Sequence, residues 1–135
     1  MFAAKPHVLV SKNNELSEKN ELSLKDLEDY PYISFGQDEY NLFHFSEEIL
    51  SAMLHKRSIK VSERATMFNL LSILNGFTIS TGIISDRLRK QGIVPIDLKI
   101  DNIVKVGVVK RKFPKLSELG EKFIDEFKNT LNSML

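Results

Sequence analysis

The sequence contains no cysteine and no tryptophan, and only six glycines and four prolines in 135 residues. Without cysteine there is no disulfide framework, no thiol nucleophile and no thiolate metal site, a pattern suited to a reducing cytoplasm. Long apolar runs are absent too. A membrane-crossing helix needs about 20 consecutive apolar residues. The apolar segment near the N-terminus, broken by Lys5 and Pro6, is too short for a secretory signal. A charge excess of either sign is also missing: 19 Lys and Arg stand against 18 Asp and Glu. No overall field therefore draws the chain to nucleic acid or to an anionic membrane. The expected setting is soluble and cytoplasmic.

Catalytic signatures are equally scarce. There is no glycine-rich G-x-G-x-x-G or Walker loop, no G-x-S-x-G elbow, no Ser-x-x-Lys pair and no His-Glu-x-x-His. His44 and His55 are eleven residues apart on one expected helix. At about 1.5 Å per residue that separates them by roughly 16 Å, too far to share an ion. His7 opens a strand, and all three histidines read as ordinary surface or boundary residues. Glu47 and Glu48 are adjacent and diverge by about 100° on a helix, so they read as a solvated face rather than an acid/base pair. An enzyme is not expected, and neither a cofactor nor a metal is implied.

What is present is a single globular domain, 42% hydrophobic and 27% charged, long enough to bury a core. Residues 7–11 form a β-branched run that predicts a strand, and the polar stretch 12–22 reads as a loop. Ser23 is followed three residues later by Asp26, a reciprocal cap for a short helix that Pro31 prevents from continuing. Residues 32–35 predict a strand closing at Gly36. Between 41 and 56, Leu42, Phe45, Ile49 and Met53 recur at three- and four-residue spacing, one face of an amphipathic helix.

Residues 58–62 predict a strand. The helix expected over 63–75 carries Met67, Phe68, Leu70, Leu71, Ile73 and Leu74, leaving so little polar face that burial on several sides is expected. Gly76 stands where a left-handed helix stop would fall. Residues 77–81 predict a strand, and Ser85 caps a short helix that ends before Gly92. Pro95 lacks a donor, so residues 93–98 read as irregular or an edge strand. Residues 102–112 read as one long strand ending in Lys110, Arg111 and Lys112, a strand end emerging into water. After Pro114 a helix carries the apolar stripe Leu116, Leu119, Phe123, Ile124, Phe127 and Leu131. Strands alternating with helices argue for an α/β three-layer sandwich with a mostly parallel sheet.

In such sheets ligands bind outside the carboxyl ends of the strands. Two strand ends there are candidates. Ser34, Phe35, Gly36 and Gln37 combine a hydroxyl, a glycine that permits close backbone approach, and an amide that both donates and accepts. Thr81 and Gly82 supply a second hydroxyl and a flexible stop.

Four passages in this order resemble the C-terminal effector-binding domain of LysR-type transcriptional regulators. They are Val8 to Ser11 with the run from Leu22 to Ile33 that includes Asp26-Leu27 and Tyr30-Pro31; Val61 through Gly76 to Ile79; Val104 to Lys112; and Leu116-Ser117 with Phe123-Ile124. The resemblance runs from about Pro6 to Leu131. Where the family often has Leu-Pro after the glycine-led strand, this chain has Ser80-Thr81-Gly82.

The resemblance implies one lobe of a type II periplasmic-binding-protein-like domain. Residues 1–112 would form lobe two, and residues 113–135 a helix that packs on lobe one or in a dimer. The family's winged helix-turn-helix, linker helix and most of lobe one have no counterpart in the sequence. The implied function is sensing of a small-molecule, often anionic, effector between lobes by a homo-oligomer that meets DNA through a separate N-terminal domain. By position, residues 34–37 match the lobe-two contact loop. A stand-alone ligand-binding or protein-assembly module of the same lobe fold remains the alternative.

Overall fold

The computed structural model describes residues 2–35, 57–101 and 103–134. The amphipathic helix expected over residues 41–56, with His44, Glu47, Glu48 and His55, lies outside the described residues, as do Gly36 and Gln37.

The sheet is organised around β2 (His7–Ser11), which follows the short β1 (Phe2–Ala4). Val8, Leu9, Val10 and Ser11 are all buried. Successive strand side chains point to opposite faces, so a strand buried at every position must be covered on both. Val8 and Val10 pack with Leu16, Leu22, Leu27, Phe77, Ile96 and Leu98. Leu9 turns the other way, towards Ile33, Met67, Leu71, Ile84 and Ile93.

The remaining strands are β3 (Glu21–Leu22), β4 (Tyr32–Phe35), β5 (Ser58–Val61), β6 (Thr78–Ser80), β7 (Ile93–Leu98) and β8 (Val104–Val106). The central order is β3-β7-β2-β6. A parallel bridge between Tyr32 and Phe77 continues it into β4-β5. There the Ile33 N–H donates to Phe77 O (2.8 Å) and the Phe77 N–H to Pro31 O (3.0 Å). β2 pairs antiparallel with both β6 and β7, whereas β3 runs parallel to β7 and β4 to β5. Five strands therefore share one direction and β2 alone opposes them. The mostly parallel sheet expected from the sequence is present, with one reversed strand in its interior. β1 and β8 form a separate antiparallel ribbon.

Three layers result. One face of the sheet is covered by 3₁₀ turns over Glu15–Glu18 and Leu24–Leu27, which insert Leu16 and Leu27. The other is covered by α1 (Arg64–Ile73), with α2 (Asp86–Lys90) contributing the half-buried Leu88. A third helix, α3 (Glu118–Ser133), starts at Ser117, whose Oγ accepts from the Gly120 N–H at 3.2 Å.

Several local expectations need correction. α1 buries only Met67 and Leu71, and Ile73 is 74% exposed, so one face of the helix is packed rather than several. The left-handed stop belongs to Asn75 (φ 52°). Gly76 is needed for close approach instead, because a Cβ there would sit 2.8 Å from Pro31 O and 2.9 Å from Ile33 Cδ1. Residues 93–98 form the regular strand β7 despite Pro95. β3 pairs only with Asp97 and Leu98, so opposite Pro95 the outer flank is open and a missing donor costs little. The long strand expected over 102–112 shrinks to β8, whose ladder stops with its three-residue partner β1. The polar stretch 12–22 holds a 3₁₀ turn and β3 rather than loop alone.

Two polar groups fasten these layers. The buried Asn14 caps the first 3₁₀ turn by accepting from the Leu16 N–H (2.9 Å), while its Nδ2 donates to Asn75 O (3.2 Å) across 61 residues. The Asp26 carboxylate accepts from both the N–H and the hydroxyl of Ser23, at 2.8 and 2.7 Å. Lys19 and these Ser23 bonds hold its carboxyl well below the usual carboxylate range.

Asn14→Ala strands the Leu16 N–H and removes the tie to Asn75, which should cost about 1–3 kcal/mol in urea unfolding. For Asp26 the folded state favours the ionised form, so its contribution is present above the unfolded value near ~4 and lost as pH falls below it. Unfolding midpoints measured from pH 6 to pH 2 (~4 units spanning the ordinary carboxylate range) should fall less steeply in Asp26→Asn than in the parent chain.

Candidate functional site

Parallel strands of one direction bring their carboxyl ends to one edge. Ser34 and Phe35 close β4, Ser80 closes β6 just before Thr81 and Gly82, and Leu98 closes β7. The two segments expected to form a site therefore reach the same edge of one sheet. Ser34 is half-buried there, as are Thr81 and Gly82. The backbone of Phe35 is in register with Val61 of β5. Gly36 and Gln37 lie outside the described residues.

Because β2 is reversed, its first residue reaches this edge as well. His7 pairs with Ser80 on one side and Asp97 on the other. Its Nε2 is 2.8 Å from Asp97 Oδ1 and its Nδ1 is 2.8 Å from Lys5 O. The ring lies against Gly82, which turns through φ 76°, and a Cβ there would penetrate the imidazole. Thr81 Oγ1 accepts from the Ile83 N–H (3.4 Å), holding the same turn. His7 opens β2, as its place in the sequence suggests, and the reversal of that strand, which nothing in the local sequence signals, brings it to this edge.

An open depression of about 590 Å³ lies farther along this edge, lined by Lys5, Glu21, Asp97, Leu98, Lys99, Ile100, Asp101 and Ile103. Its lining mixes charges of both signs with Leu98, Ile100 and Ile103 and includes none of the expected site residues. Its continuity with the edge is through Asp97, the partner of His7. Among the described residues no group of three or more His, Asp or Glu could hold a metal ion. Nor, among them, is any helix long and apolar enough to cross a membrane.

Gly82→Ala should destabilise the chain by at least about 1–2 kcal/mol from the left-handed backbone alone, and by more from the collision with His7. Adding His7→Ala should recover only the collision. A thermal-melt double-mutant cycle with additive losses would contradict this packing.

No protein-family model matches the chain, and no curated protein matches it either. Solved structures do. The effector-binding domain of QuiR in complex with shikimate is 20% identical, with a TM-score of 0.66, over 91% of this chain and 59% of its own. HinK, a LysR family transcriptional regulator from Pseudomonas aeruginosa, is 18% identical with a TM-score of 0.70, over 97% of this chain and 46% of its own. The BenM effector-binding domain with its effector benzoate is 14% identical with a TM-score of 0.54, over 75% and 47%. The chain spans about half the length of these solved structures. These neighbours are regulatory domains rather than enzymes. These matches give the chain the fold of part of a LysR-family effector-binding domain, of which it spans about half.

Proposed function

We propose that this chain is the small-molecule-sensing portion of a LysR-type transcriptional regulator, without catalytic activity, acting in the cytoplasm. The observation that carries this reading is the shared edge where Ser34 and Phe35 meet the level of Thr81 and Gly82. Gly36 and Gln37 extend the same loop in sequence. In the same fold QuiR carries shikimate and BenM carries benzoate. Hydroxyls at the carboxyl ends of strands suit a small carboxylate.

Residues 1–112 act as the effector lobe, and residues 113–135 supply a helix that packs on lobe one or in a dimer. The regulator is a homo-oligomer, and it meets DNA through a separate N-terminal domain. Effector binding shifts closure of this lobe against its complement, and so the arrangement of the oligomer. A lobe that holds only part of the pocket binds weakly alone. The alternative, a stand-alone assembly module of the same lobe, draws support from the exposed face of α3.

Titration with shikimate, benzoate and other small carboxylates, followed by amide NMR, tests the sensing reading. Shifts should concentrate at Ser34, Phe35, Thr81 and Gly82 and saturate in the millimolar range. Shifts confined to the 3₁₀-covered face, or none with any compound at that concentration, would remove support for it.

A further inference from the structure

The open depression beyond the carboxyl end of β7 is built by three segments that backbone hydrogen bonds hold together. β3 and β7 run parallel, with Glu21 in register with Asp97 and Leu22 with Leu98. The Leu98 N–H donates to Pro6 O (3.2 Å), the Lys99 N–H to Leu22 O (2.8 Å), and the Ile100 N–H back to Leu98 O (2.9 Å). Lys5 and Glu21 each stand one residue before one of these acceptors, so the backbone fixes where they enter the rim. The volume, about 590 Å³, falls within the roughly 300–1,000 Å³ of small-molecule sites.

The charges of the lining select the ligand. Asp97 is engaged by His7 through Oδ1. Among the described residues, Lys5, Lys99, Glu21 and Asp101 make no ion pair with one another. Two ammonium groups and two carboxylates therefore line one depression, in balance and unpaired. A ligand of net charge would attract one pair and repel the other, which counts against a simple carboxylate, amine or phosphate. A ligand carrying one charge of each sign answers both. The lining also includes the half-buried Ile100 and Ile103, which is 64% exposed. These are apolar surfaces that an aliphatic portion of the ligand would take out of water. A sugar offers neither the paired charges nor the apolar portion.

We propose that this depression is a second small-molecule site, for a zwitterionic α-amino acid with an aliphatic side chain. Glu21 and Asp101 take the ammonium, Lys5 and Lys99 the carboxylate, and Ile100 and Ile103 meet the side chain. Asp97 stands beside them and joins this site to the contact between His7 and Gly82. Exposed charges make weak contacts in water, so the affinity is millimolar. The site goes beyond the sensing reading. Its lining shares no residue with the Ser34, Phe35, Thr81 and Gly82 edge, and it stands whether or not that edge takes a carboxylate.

Amide NMR of the whole chain during titration with leucine should show shifts at Glu21, Lys99, Ile100 and Asp101 that saturate in the millimolar range. Two analogues of the same skeleton each remove one charge: isocaproate lacks the amine, and isoamylamine lacks the carboxylate. Each should bind about 3- to 10-fold more weakly than leucine. Lys99 is exposed, so Lys99→Glu should keep the circular dichroism spectrum of the parent chain. It should also reverse the order, isoamylamine then binding more tightly than leucine. No shift at these four amides with leucine, an analogue that matches leucine, or a Lys99→Glu chain that still prefers leucine would overturn the proposal. Leucine shifts confined to Ser34, Phe35, Thr81 and Gly82 would overturn it as well, while leaving the sensing reading in place. The two readings are followed at different amides and fail separately.

Discussion

The reversal of β2 is the constraint on which the rest of the fold depends. A strand placed centrally between β6 and β7, in a sheet covered on both faces, is buried on both, and the sequence answers with an unbroken Val8-Leu9-Val10 run. That run divides the core in two. Val8 and Val10 collect the 3₁₀ turns, and Leu9 collects α1 and the start of β7. Replacing a side chain on either face of β2 would therefore disturb one layer while leaving the other in place. The reversal also has a chemical consequence. It carries the first residue of a strand, His7, to the edge where its neighbours end, so a side chain from the chain's beginning supports the Thr81-Gly82 turn.

Much of this was legible where local rules and tertiary packing agree. Ser85 was readable as a cap because its hydroxyl faces a backbone N–H three residues on, whatever surrounds it. The carboxyl edge was readable for the same kind of reason: strand direction follows from alternation of elements, and direction alone assigns Ser34 and Thr81 to one side.

What escaped depends on the extent of a partner. The β-branched run from Ile103 to Val109 has the composition of a long strand, yet a ladder lasts only as long as its neighbour, and β1 offers three residues. Pro95 misled for the converse reason, since β3 is too short to demand a donor there. The composition of α1 suggested cover on every side, but composition does not count the layers available. Asn75 took the left-handed position expected of Gly76, because Pro31 and Ile33 needed the space that only a missing side chain leaves. Half of the candidate loop, Gly36 and Gln37, stands on sequence alone.

The burial record divides the chain sharply. Every residue described as buried lies at or before Leu98, and none of those whose burial is described between Lys99 and Met134 is buried, although they include Val108, Val109, Phe113, Leu119 and Phe123. Local propensity is enough to explain α3, with its cap at Ser117 and its ion pair between Lys122 and Glu118. It does not explain the apolar stripe, because a solvated helix gains nothing from phenylalanine on its outer face and loses side-chain freedom by stacking it. The strand-end edge and the last helix are thus separable in this chain: the first is fixed by the sheet, and the second leaves Leu119 and Phe123 exposed.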